Sequence, residues 1–157
     1  MTRRKVNILL DTNILIFLAR DEKHRLLREV VNTTQKTVYV SIVSIAEVRS
    51  IAFRNRWSFK KLATFDTIIS DAVIIDVSDS LVNSYVEIQA YSQRQSRNFT
   101  SYPFDTPRNM GKNDMWIAST AALLGLQLVT TDADFDHLNQ VFLDVRRIDP
   151  VELRAFF

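Results

Sequence analysis

The strand-like runs of this chain are continuous apolar stretches, not alternating ones, and that limits the fold more than any other feature. They are "KVNILL" near the N-terminus, "KTVYVSI", "AVIIDV", "LQLVT" and "VFLDVRRI". Strands that face water on one side alternate apolar with polar residues, whereas strands covered on both faces do not. Between these runs the apolar spacing is helical: residues 12–20, "SIAEVRSIAFRNRW", Phe59 to Ser70 with Leu62, Phe65 and Ile69 on one face, Asp79 to about Arg94 behind an "SDS" cap, and Asn113 to Leu124 before Gly125. Strands alternating with helices predict an α/β fold, a Rossmann-like mostly parallel sheet with helices on both sides. Two prolines and a glycine mark residues 97–112 as a long loop, and long loops in compact domains usually serve function.

Composition narrows the classes further. With 46% hydrophobic and 24% charged residues the chain is an ordinary folded protein, and its 157 residues suit one domain, 1–157. No apolar run approaches the roughly 20 residues of a membrane span, and "TRRKV" leads into an acid, not a signal peptide, so a cytoplasmic protein without a membrane partner is expected. The absence of cysteine rules out disulfides, thiolate nucleophiles and Cys-based zinc sites, and two histidines leave little for a His-rich metal site. His24 and His137 read as surface residues. Arg3, Arg4 and Lys5 are expected to form a flexible basic start.

In open parallel sheets, ligands bind where strands end and loops lead into helices. Four acids occupy such places. Asp11 ends the first strand, Glu47 lies in the first turns of the following helix, Asp114 opens the helix after the long loop, and Asp132 follows "LQLVTT". Each also has a plain structural role open to it: an Asx-turn for Asp11, a capping box "SIAE" pairing Ser44 with Glu47, a dipole partner for Asp114, a turn for Asp132. Caps do not explain the coincidence of all four. Gathered like charges repel unless cations neutralise them, and an oxygen-rich set without Cys selects Mg²⁺ or Mn²⁺. Such ions can clamp the attacking water and leaving oxygen of a phosphodiester. Arg49, Arg108 and Lys112 lie near the acids and are candidates for a phosphate backbone, with solvated surface charge as the competing reading.

The pieces "ILLDTNILI", "VSIVSIAEV" and "KNDMWIASTAALLGLQLVTTDADFDHL", with the hydrophobic strand after them, resemble the PIN-domain nucleases, most closely the VapC toxins of bacterial toxin–antitoxin pairs. The resemblance implies a PIN-like three-layer sandwich and a Mg²⁺- or Mn²⁺-dependent endoribonuclease acting on tRNA or rRNA. It puts the metal-holding acids at Asp11, Glu47, Asp114 and Asp132, with Asn13, Thr131 and Asp134 orienting acids or waters. It also implies a small VapB-type antitoxin and a homodimer. A housekeeping PIN nuclease of RNA maturation is the second enzymatic expectation, and a non-catalytic RNA-binding domain the expectation from another class.

Overall fold

The computed structural model describes residues 6–157; Arg3, Arg4 and Lys5 lie outside the described residues. Five parallel strands form one sheet: β1 (Ile8–Leu10), β2 (Val38–Ser41), β3 (Val73–Ile75), β4 (Gln127–Thr130) and β5 (Asp144–Arg147), in the order β3-β2-β1-β4-β5. Every pairing is parallel, so all strand carboxyl ends lie along one edge. The strand order reverses beside β1, which leaves β1 and β4 flanking the switch point where such sheets bind ligands.

The helices are α1 (Thr12–Ala19), α2 (Ile42–Arg54), α3 (Phe59–Ser70), α4 (Val82–Ser92), α5 (Lys112–Leu124) and α6 (Pro150–Arg154). Successive residues of β1 serve opposite faces, as the period of two in a strand requires. Ile8 and Leu10 join an aliphatic cluster with Leu15, Leu18, Val48, Phe65 and Leu153, which covers one face with α1, α2, α3 and α6. Leu9 joins Ile88, Tyr91, Met115, Ile117 and Phe135, which covers the other with α4, α5 and a 3₁₀ segment (Ala133–Leu138). This is a three-layer α/β arrangement.

The long loop is well packed. Phe99, Tyr102 and Phe104 surround the buried ring of Tyr91, with centroids 4.7, 5.4 and 5.4 Å away. Arg108 N–H donates to the carbonyl of Ser92 at 2.7 Å, which ties the far end of the loop to the end of α4. The loop therefore forms a fixed wall.

Several local expectations are corrected. The cap of α2 is Ser41, whose hydroxyl accepts from Val43 N–H, so Ser44 lies inside the helix and "SIAE" is no capping box. Ser44 Oγ is buried without a hydrogen-bond partner. Residues 79–81 form a 3₁₀ turn ahead of α4 with no side-chain cap. A π-helical turn (Leu27–Val31) and α6 are additional elements; Arg146 donates to the carbonyls of Val30 and Val31 at 2.7 and 2.8 Å, meeting acceptors at the end of that turn. Neither histidine is fully exposed, and His137 Nε2 lies 2.8 Å from Ser92 Oγ. No helix among the described residues is long and apolar enough to cross a membrane.

Candidate metal centre

The carboxyl edge of the sheet assembles five acids. Asp11 follows β1 and caps α1 in extended backbone (φ −72°, ψ 160°), a conformation that lets a capping residue turn a strand into a helix. Its Oδ1 accepts from Thr12 N–H at 2.8 Å and its Oδ2 from Thr130 Oγ1 at 2.7 Å. Thr130 Oγ1 in turn accepts from Asp132 N–H at 3.0 Å. That contact uses an acceptor lone pair and turns the hydroxyl proton towards Asp11, so one threonine couples the acids after β1 and β4. Asp11 is only 3% exposed. Burial raises its pKa most strongly, the Thr130 and Thr12 hydrogen bonds oppose this, and the Asp132 and Glu47 charges add to it.

Glu47 projects from the second turn of α2 and accepts from Thr12 Oγ1 at 3.0 Å. A strand-to-helix junction thus serves two acids: the main chain of Thr12 holds Asp11 and its side chain holds Glu47. Asp132 caps the 3₁₀ segment through Asp134 N–H at 2.9 Å, which brings Asp134 alongside.

Asp114 sits in the first turn of α5, whose cap, Gly111, has no side chain to satisfy the helix N–H groups. The helix dipole favours a charged carboxylate there. Burial, and then the charges of Asp11, Asp132, Glu47 and Asp134, override it and push the Asp114 pKa up to about 7. One oxygen each of Asp114, Asp132 and Asp134 lies within 4.8 Å of the others. None of the five acids forms an ion pair among the described residues, where the salt bridges are Arg25–Glu29, Arg49–Asp66 and Arg147–Asp136. Converging oxygen donors that lack a protein counter-charge fit a hard divalent cation.

Two recesses flank the acids. On the β2 side Glu47, Asn113, Ala46, Ile51 and Arg54 line an open cleft of about 420 Å³. On the β4 side Asp134 shares a recess of about 630 Å³ with Phe104, Arg108, Asn109 and His137. Ala46 and Ile51 therefore face this cleft, while Ser44, Ile45, Val48 and Ala52 turn to the core. Arg49 is held away by Asp66 at 3.0 Å, and its guanidinium lies over the Phe65 ring. Lys112 is exposed at the start of α5, and Arg108 lines the larger recess. Asn13 is exposed in the first turn of α1, and Thr131 is half-buried next to the threonine that holds Asp11.

Sequence reasoning missed Thr12, Thr130 and Arg54. Thr12 and Thr130 could have been found: Thr12 follows Asp11 and Thr130 stands two residues before Asp132, both where a strand ends, and a hydroxyl there can donate to a carboxylate. Arg54 carried no local signal, since its place follows from the length of α2.

A profile of the PIN domain family matches residues 8–141. The chain belongs to the PIN domain family. Solved structures share the fold: VapBC2 of Rickettsia felis bound to a promoter DNA fragment (TM-score 0.68, 21% identity, covering 90% of this chain and 98% of that one); DNA-bound VapBC of Salmonella typhimurium (0.63, 21%, 91% and 98%); and VapBC-5 of Mycobacterium tuberculosis, of a toxin–antitoxin family (0.63, 19%, 92% and 100%). No curated protein matches the chain.

Proposed function

We propose that this chain is a metal-dependent endoribonuclease, the toxin of a VapBC-type pair, acting in the cytoplasm on structured RNA of the tRNA or rRNA class. The observation that carries the reading is the meeting of Asp114, Asp132 and Asp134 oxygens within 4.8 Å, beside Asp11 and Glu47, with no ion pair among the described residues to balance them. The likeness to VapBC complexes supports the toxin assignment and a VapB-type antitoxin as partner; a homodimer is part of the same proposal.

In this mechanism Asp114, Asp132 and Asp134 would hold Mg²⁺ or Mn²⁺, and Asp11 and Glu47 would complete the acid set beneath them. A bound divalent cation would supply positive charge to polarise a phosphodiester oxygen and acidify water. Thr130 and Thr12 fix the deep carboxylates before substrate arrives, which removes a reorganisation cost from the reaction. Arg54 and Arg108, one in each flanking recess, bind the phosphates on either side of the scissile bond. Asn13 and Thr131 orient water at the rim, and Lys112 adds to the attraction of the polyanion.

The test is incubation of total cellular RNA with the purified, antitoxin-free protein and Mg²⁺ or Mn²⁺, beside an EDTA control and an Asp11→Asn, Asp114→Asn double variant, with cut ends sequenced. Metal-dependent cuts at one or a few positions, lost in the variant, are expected. Folded protein that cuts no RNA with either metal would overturn the reading.

A further inference from the structure

The recess beside Asp134 differs from the cleft beside Glu47 in having a wall built for it. Phe104, one of its linings, is 5% exposed and locked edge-on against Tyr91, so the loop carrying it cannot collapse into the space. Pro103 and Pro107 add stiff apolar surface. At about 630 Å³ the recess has the size of a small-molecule site and room for one nucleotide.

Its polar groups are few and distinct. Arg108 makes no ion pair among the described residues, and its guanidinium lies 5.6 Å from the Phe104 ring centre. Asn109 Oδ1 accepts from Gln93 Nε2 at 2.9 Å, which fixes the amide and leaves its own N–H groups as donors. Asp136 is balanced by Arg147 at 3.3 Å, so the recess is not simply an extension of the acid cluster. His137 is held between Ser92 Oγ and the Phe104 ring, 5.5 Å from its centre. Asp134 belongs both to this recess and to the acid trio.

We propose that this recess is a base subsite: it takes one unstacked nucleobase of a single-stranded RNA segment, next to the phosphodiester held at the acids. Apolar walls accept the face of the base, Asn109 donates to its edge, and Arg108 covers it or meets its phosphate. Single-stranded loops present such splayed bases, so the subsite selects unpaired RNA. The inference rests on the nuclease reading above, but its test needs neither metal nor cleavage.

The chain has two histidines, of which His137 lines the recess and His24 does not, so their ring signals in ¹H–¹³C NMR spectra serve as reporter and control. AMP, GMP, CMP and UMP would be titrated to millimolar concentration in EDTA, with ribose 5-phosphate as the base-free ligand. At least one nucleotide should shift the His137 signals saturably while His24 stays fixed and ribose 5-phosphate, which can meet only Arg108, gives a shift several-fold smaller. Asn109→Trp, a change at an exposed position, should fill the recess and cut that shift at least fivefold. Arg108→Gln should weaken nucleotide binding several-fold without that obstruction. No His137 shift with any nucleotide, or an equal shift with ribose 5-phosphate, would overturn the base subsite while leaving RNA cleavage to judge the nuclease reading separately.

Discussion

The floor and the mouth of the acid cluster are built on opposite terms. At the floor, Asp11 and Glu47 are satisfied by Thr12 and Thr130, so their charges are anchored to a strand end and a helix start. At the mouth, Asp114 and Asp134 accept no side-chain hydrogen bond among the described residues, and Asp132 accepts one, from Asp134 N–H. Both regions gather like charge. Neither has a counter-charge among the described residues, but only the mouth leaves its carboxylate oxygens largely without donors, which is the arrangement expected where a cation binds.

The widest separation of the two regions comes from Asp114→Asn. RNA cleavage should fall at least about a hundredfold, since removing even an outer partner of a metal site costs roughly 10- to 100-fold. The same change should stabilise the metal-free protein at pH 8 by about 1 kcal/mol after solvent screening, read as a rise of roughly 2–4 °C in the unfolding midpoint. Loss of both activity and stability would show that Asp114 is structural, and erase the contrast.

At the floor, Thr130→Val should act the other way on stability. It leaves Oδ2 of buried Asp11 without a donor, while Oδ1 keeps Thr12 N–H, and should cost about 1–3 kcal/mol in urea unfolding, with cleavage reduced roughly 10- to 100-fold. A pH series sharpens the mouth. The Asp114 pKa is raised from 3.8 to about 7, so the folded state binds its proton more tightly than the unfolded chain does. This group's contribution to stability is full below about pH 4 and is lost as pH rises through about 7. Metal-free protein should therefore melt lower at pH 8 than at pH 6, and Mg²⁺ should raise the midpoint more at pH 8.

The smallest effects concern residues outside both regions. Ser44→Ala should stabilise by about 1 kcal/mol, because it removes a buried hydroxyl without a partner; a capping box would predict a loss of similar size. Arg49→Ala should change stability by less than about 0.5 kcal/mol and leave cleavage intact, since its ion pair with Asp66 is half exposed.

The parallel sheet is legible because continuous apolar runs have one common explanation, and the end of β1 is legible because its run stops at Asp11; the edge strand β5, Asp144 to Arg147, starts three residues inside the run "VFLDVRRI" and is polar at three of its four positions. The edge that collects the acids follows from all strands running one way. Boundaries set by tertiary contacts were not legible. Ser44 and Ser41 are both serines near the start of one helix, and only the length of β2 decides that Ser41 caps it. The π-helical turn depends on Arg146, more than a hundred residues away. His137 looked like surface because nothing local announces Ser92 and Tyr91 beside it. The sequence marks Asp134 only as a supporting residue; its place within 4.8 Å of Asp114 and Asp132 comes from the 3₁₀ turn, which no periodicity marks.

The most direct test of the central claim is titration of metal-free protein with Mn²⁺ at pH 7, following free Mn²⁺ by electron paramagnetic resonance and protons by calorimetry in buffers of different ionisation enthalpy. Saturable binding that releases protons, as Asp114 gives up its share, and that is lost in Asp114→Asn is the expected result. Folded protein that binds no Mn²⁺, or binds it equally well in the variant, would contradict it.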